Sequence, residues 1–182
     1  MWTSPHELFF WIACLNILVT VVFAVTLSVF PAVTALTLAG DGCEGGWGGL
    51  FVPTLFVLFN SCDYVGRVAA GRWRLIRADR LVRAALLRVV FVPLMCLCRV
   101  KDSSLPVVFG SVAFPLVFMV LFALSNGYVS TLAMMDGPAL VPATQMEVAG
   151  ATMVLCLCLG LLAGSGLSFG VLAIVKHGGG QS

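Results

Sequence analysis

Charge is what this sequence has least of. Only 10% of its 182 residues are charged and only two are histidines, whereas a soluble domain carries about 25% charged residues. Together with a hydrophobic content of 60% and a mean hydropathy of +1.09, that scarcity excludes a water-soluble globule and predicts an all-α integral membrane protein. The histidines, His6 and His177, sit near opposite ends. Neither can complete a compact zinc site with the scattered cysteines, four of which form two Cys-x-Cys pairs (Cys96/Cys98 and Cys156/Cys158) in apolar runs. Those cysteines read as small apolar thiols. Phosphate-cradling glycine loops and broad basic faces are also missing, so no cofactor and no nucleic acid are expected. No basic stretch precedes the first apolar run, which is too long for a signal peptide.

What is present is a series of long apolar runs, which predict five spans at about 8–38, 50–70, 82–98, 105–135 and 148–175 in a single transmembrane domain. The first, Leu8 to Leu38, is too long for one upright crossing of about 20 residues and predicts a tilted helix that Phe30-Pro31 can bend. A glycine-rich acidic loop containing Cys43 follows. The third run is the weakest, because Arg83 and Arg88 interrupt it. Asp136-Gly-Pro is expected to turn the chain after the fourth. In the fifth, Gly160 and Gly164 form a small-xxx-small pair suited to close helix packing. Seven arginines lie between positions 67 and 88 against one acid, Asp79. The positive-inside rule places that loop in the cytoplasm. With five spans the N-terminus is then cytoplasmic and the C-terminus extracellular, with Cys43 facing outside.

Inside the second run stand Asn60, Asp63 and Arg67. Four residues is about one helical turn, so the acid and the base share a face, with Asn60 one turn earlier. Charge near a bilayer centre costs about 2.5–3.5 kcal/mol on insertion scales. Asp63 lies about eight residues from the cytoplasmic loop, roughly 12 Å deep at 1.5 Å per residue, which is beyond the reach of so short a side chain. It must face protein or water, and a path for a polar solute is the expected function. Arg67 is near enough to the loop to belong to the basic cluster instead, and Asn60 suits a helix contact equally well.

The remaining polar residues divide similarly. Arg88 is either a snorkelling base or the partner of a buried acid. Ser125 and Asn126, in the middle of an apolar span, mark a helix contact or a polar lining. Thr144-x-x-Glu147 at the head of the fifth run has the form of a capping box. Catalysis finds no support: Asp63 is the only acid at membrane depth, and an aspartyl intramembrane protease needs two.

Five stretches carry a resemblance. Thr26-Leu-Ser-Val-Phe30-Pro31-Ala-Val-Thr34, Phe59-Asn60-x-x-Asp63-x-x-Gly66-Arg67, Arg88-Val-Val-Phe-Val-Pro93-Leu, Ser125-Asn126-Gly127-Tyr128 and Glu147-x-Ala149-Gly150-Ala-x-Met153 occur in the order, and at nearly the spacing, of the equilibrative nucleoside transporters. The chain resembles the last five of that family's eleven spans, the C-terminal half of a major-facilitator-type fold. The six spans that come first there have no counterpart in these residues, and the loop before the fifth run lacks the lysines common in relatives. The resemblance implies alternating-access transport of nucleosides or nucleobases in the plasma membrane. Asp63 and Arg67 would meet the sugar hydroxyls, with Asn60 nearby and Phe30 lining the same cavity. Arg88, Ser125, Asn126 and Glu147 would be structural or gating. Expected partners are the solute, the lipid bilayer and a six-span half or a full-length relative. The rival expectation is a half-transporter that only associates with such a partner and transports nothing.

Overall fold

A computed structural model describes residues 5–38, 46–101 and 103–176; Cys43 and its loop lie outside the described residues. Among the described residues six α-helices appear in order: α1 Pro5–Val29, α2 Gly46–Arg72, α3 Ala78–Leu87, α4 Phe91–Cys96, α5 Ala113–Ala139 and α6 Met146–Lys176. Among the described residues there are no strands, only isolated bridges pairing Thr37 with Val100 and Cys98 with Phe109. Four of these described helices, α1, α2, α5 and α6, are long and apolar enough to cross a membrane. The protein is an all-α membrane helical bundle.

Local chemistry explains where the helices depart from the apolar runs. α1 stops at Val29, short of Leu38, because Pro31 has no N–H to continue the ladder. A turn with a cis Phe30–Pro31 peptide and a 3-10 turn at Thr34–Leu36 complete the segment. The fourth run is helical only from Ala113. Its first residues, with Pro106 and Gly110, follow an irregular path pinned by Ser104 N–H to Val175 O at 2.8 Å and Val108 N–H to Leu97 O at 3.1 Å. Asp136-Gly-Pro does not turn the chain. α5 runs on to Ala139, since a proline in the last turn removes one bond at an end that is fraying anyway. The third run is helical in pieces: α3, a 3-10 turn at Arg88–Val90, then α4.

Two seams hold the bundle, α1 against α6 and α2 against α5, with α1 also touching α5. Each seam is tight because glycine removes the side chain at the crossing. A Cβ on Gly160 would stand 2.6 Å from Thr20 O, and one on Gly164 2.6 Å from Ala24 O. Thr20 Oγ1 also donates to Cys156 O at 3.0 Å. The small-xxx-small pair thus packs against α1. In the second seam, a Cβ on Gly66 would overlap the carbonyl of Leu124, and one on Gly127 the carbonyl of Asp63.

The apolar core is in two parts. One cluster gathers Leu15, Val19 and Val22 of α1, Ala70 of α2, Leu81 and Ala85 of α3, Val129 and Leu132 of α5 and Met153 of α6. The other gathers Val29 and Val33, Phe51, Leu55 and Phe59, Met95 and Cys96, Met119 and Phe122, and Val175. The segmented third stretch therefore passes from one end of the bundle to the other. Between the clusters, on four elements at once, lie the polar residues: Thr26, Asp63, Arg88 and Asn126.

Candidate functional site

This polar waist is one connected network. Arg88 is 1% exposed, and burying a cation in an apolar bundle costs several kcal/mol unless its donors are satisfied. Four of its five N–H groups are. Nη1 donates to Phe122 O at 2.9 Å and to Ser125 Oγ at 2.5 Å. Nη2 donates to Thr26 Oγ1 at 2.8 Å and to Asn126 Oδ1 at 3.0 Å. The fifth, on Nε, has no hydrogen-bond partner among the described residues. The guanidinium also stands 4.7 Å from the centre of the Phe122 ring, a cation–π distance. The Thr26 hydroxyl has Val22 O and Asn126 Oδ1 both at 2.7 Å.

From Asn126 the network continues to α2. Asn126 Nδ2 donates to Asp63 Oδ1 at 2.7 Å, and Arg67 Nε donates to Asp63 Oδ2, also at 2.7 Å. The Asp63 side chain is 15% exposed and that of Arg67 41%, so exposure rises along the network from Arg88 to Arg67. The helix turn brings Asp63 to Arg67, and the Gly66/Gly127 contact brings α2 close enough for Asn126 to reach the acid.

Ser125-Asn126-Gly127-Tyr128 therefore does four separate jobs. Ser125 and Asn126 hold Arg88, and Asn126 also holds Asp63. Gly127 admits α2, and Tyr128 ties down its end: the Tyr128 hydroxyl donates to Trp73 O and accepts from Leu75 N–H, both at 2.7 Å. Tyr128→Phe is expected to lower stability by about 0.5–1.5 kcal/mol, since the two backbone groups it releases lie in an exposed segment and pass to water. Limited proteolysis should show the new vulnerability near residues 73–77. Unchanged cleavage would mean that the tether contributes nothing.

Beside the polar waist lies an aromatic layer. Phe30 stacks on Phe59, with centroids 4.1 Å apart and planes 13° apart, and lies 4.7 Å from Phe56. Phe59 reaches Phe122 at 6.1 Å, so the layer joins the ring beneath Arg88. Asn60 does not join the network. It is exposed on α2, and its Nδ2 donates to Phe56 O at 2.8 Å. Glu147 is also apart, exposed in the first turn of α6. No hydrogen bond joins Thr144 to Glu147 among the described residues. Thr144 sits inside the 3-10 turn Ala143–Gln145 and so lacks the extended conformation that an N-cap needs.

Arg88 is thus neither snorkelling nor salt-bridged; it reaches the buried acid through a carboxamide. Two participants escaped the sequence reading. Thr26 was visible only as the first letter of a familiar stretch, although a hydroxyl in an uncharged helix is itself a signal. Phe122 contributes a backbone carbonyl, which no side-chain pattern reveals.

An apolar helical bundle crossed at its waist by a fixed ion network is a polytopic membrane protein built around polar groups in its interior. A family model described as "Nucleoside transporter" matches residues 1–173, and the chain belongs to that family. It is 43% identical over 153 residues to equilibrative nucleoside transporter 2 of Mus musculus, covering 81% of this chain and 34% of that protein. It is 39% identical over 168 residues to equilibrative nucleoside transporter 1 of Homo sapiens, covering 90% and 37%, and 32% identical over 171 residues to equilibrative nucleoside transporter 4 of Homo sapiens, covering 92% and 30%. The chain spans about a third of the length of these curated relatives.

Proposed function

We propose that the chain is the C-terminal part of a transporter that moves nucleosides or nucleobases by alternating access. It would cross the bilayer five times, with the arginine-rich loop in the cytoplasm, its C-terminal end outside, and the plasma membrane as its site. The observation that carries this reading is the Asp63–Arg67 pair, held in the middle of an apolar bundle at the more exposed end of a buried network. Asp63 supplies acceptors and Arg67 donors, the complement of a vicinal diol or a base edge. Asn60 and Phe30 flank the pair on α2 and at the end of α1, and Arg88, Ser125, Asn126 and Glu147 serve structure or gating.

A carrier of this kind rocks one helical bundle against another around a site at their interface. These helices make one bundle. The outer faces of α2 and α6 carry exposed Val57, Tyr64, Leu159, Leu162 and Phe169, fit for lipid or for a second bundle of six spans. Radiolabelled uridine uptake in transport-null cells tests this division. Expressed alone, the chain should give no saturable uptake, and co-expression with the six-span N-terminal half of a relative should restore it. Saturable uptake by the chain alone would sink the division into halves and point to a pair of identical chains.

The rival reading is a chain that associates with a full-length relative through the exposed faces of α2 and α6 without carrying solute itself. It would co-purify with that relative and change its abundance, with Asp63→Asn having no effect on uptake.

A further inference from the structure

The hydrogen bonds through the waist leave Asn126 a single orientation. Its Oδ1 faces Arg88 Nη2 at 3.0 Å, and its Nδ2 faces Asp63 Oδ1 at 2.7 Å. A guanidinium only donates and an ionised carboxylate only accepts. Turning the carboxamide over would set its NH2 against the guanidinium and its oxygen against the carboxylate. Arg88 is in turn immobilised by Thr26, Ser125 and the carbonyl of Phe122. With one Asp63 oxygen occupied by Asn126, the other is left to Arg67 Nε at 2.7 Å. The two terminal nitrogens of Arg67 keep their N–H groups without a partner among the described residues, on a side chain 41% exposed.

We propose that Arg88 is a positioning residue for the solute. Acting through Asn126 it sets the carboxylate of Asp63, and through Asp63 it turns the paired terminal nitrogens of Arg67 outward. They then form a fork of donors for a vicinal diol, such as the 2′- and 3′-hydroxyls of a nucleoside. This rests on the assignment of Asp63 and Arg67 to the solute. A cation buried only for scaffolding would behave differently: weakening it would reduce the amount of folded protein and lower the uptake of every solute in parallel.

The test uses the chain with a six-span half in transport-null cells, and compares uridine with 2′,3′-dideoxyuridine at known surface abundance. Asn126→Leu should raise KM for uridine about tenfold while Vmax per surface molecule stays within about twofold, the pattern of lost ground-state binding. The KM for the dideoxy compound should move less than about threefold. Arg88→Lys, which keeps the charge but loses the fork, should repeat this selective pattern at smaller size, raising KM for uridine a few-fold and leaving that of the dideoxy compound nearly unmoved. Parallel losses for both nucleosides would overturn the proposal. If Asp63→Asn leaves uridine uptake unchanged, or if uptake is never restored, it is the solute assignment that fails, and thermal unfolding of the purified full chain judges the relay separately. There Asp63→Asn and Arg88→Lys should be non-additive with Asn126 in place and additive in the Asn126→Leu background. Additivity in both backgrounds would overturn the relay itself.

Discussion

Asp63→Asn, in a transporter completed by a six-span half, should lose most of its nucleoside uptake while its surface abundance stays near normal. The native carboxylate accepts from Asn126 on one oxygen and from Arg67 on the other. An asparagine can keep the first bond but presents an NH2 to the guanidinium, so Arg67 is released from its position. A hydrogen bond to a charged group is worth about 1.5–3 kcal/mol, roughly ten- to a hundredfold in affinity. Abundance should survive because the Arg67 side chain is partly exposed and the freed cation is not stranded in hydrocarbon. The charge-removing double change, Asp63→Asn with Arg67→Gln, separates solute binding from scaffolding. If the pair binds solute, the double variant stays as inactive as the single one. If the acid exists only to neutralise Arg67, the single change costs abundance and the double recovers both abundance and uptake. Recovered uptake would therefore move the pair from site to scaffold.

A second large effect is expected from a single methyl group. Gly127→Ala places a Cβ on the backbone carbonyl of Asp63, an obstacle that cannot swing aside as a side chain would. Overpacking a tight interior costs about 1–3 kcal/mol, more when the backbone must shift, so the α2–α5 seam should open and most of the folded chain should be lost. Gly170→Ala is the control, since no atom lies within 4 Å of its added Cβ and alanine is the better helix former. Surface amount and detergent melting temperature read both variants. Equal behaviour of the two would mean that the seam is not held by Gly127.

The sequence showed some of this and concealed the rest for physical reasons. α2 and α6 lie within a few residues of their apolar runs, because an apolar helix in lipid needs nothing beyond its own backbone bonds. The end of α1 and the start of α5 do not. There the path is set by bonds to distant segments, such as Leu38 N–H to Arg99 O at 2.8 Å, which local composition cannot display. The same division runs through the site. Asp63 and Arg67 were legible because their pairing is a matter of helical spacing. That Asn126 joins Asp63 to Arg88 depends on three elements meeting, and one chain's letters show no such meeting. Gly127 is the clearance that lets two helices touch, a role its letter alone does not show.

Two helices in contact through glycine cannot slide along each other without driving a carbonyl into a Cα, whereas side-chain contacts yield by changing rotamer. The pairs α1–α6 and α2–α5 are therefore stiff beams, pinned to one another where Thr26 meets Asn126. Regular helix is broken elsewhere: at the turn after Val29, and at the 3-10 link Arg88–Val90 that divides the third stretch.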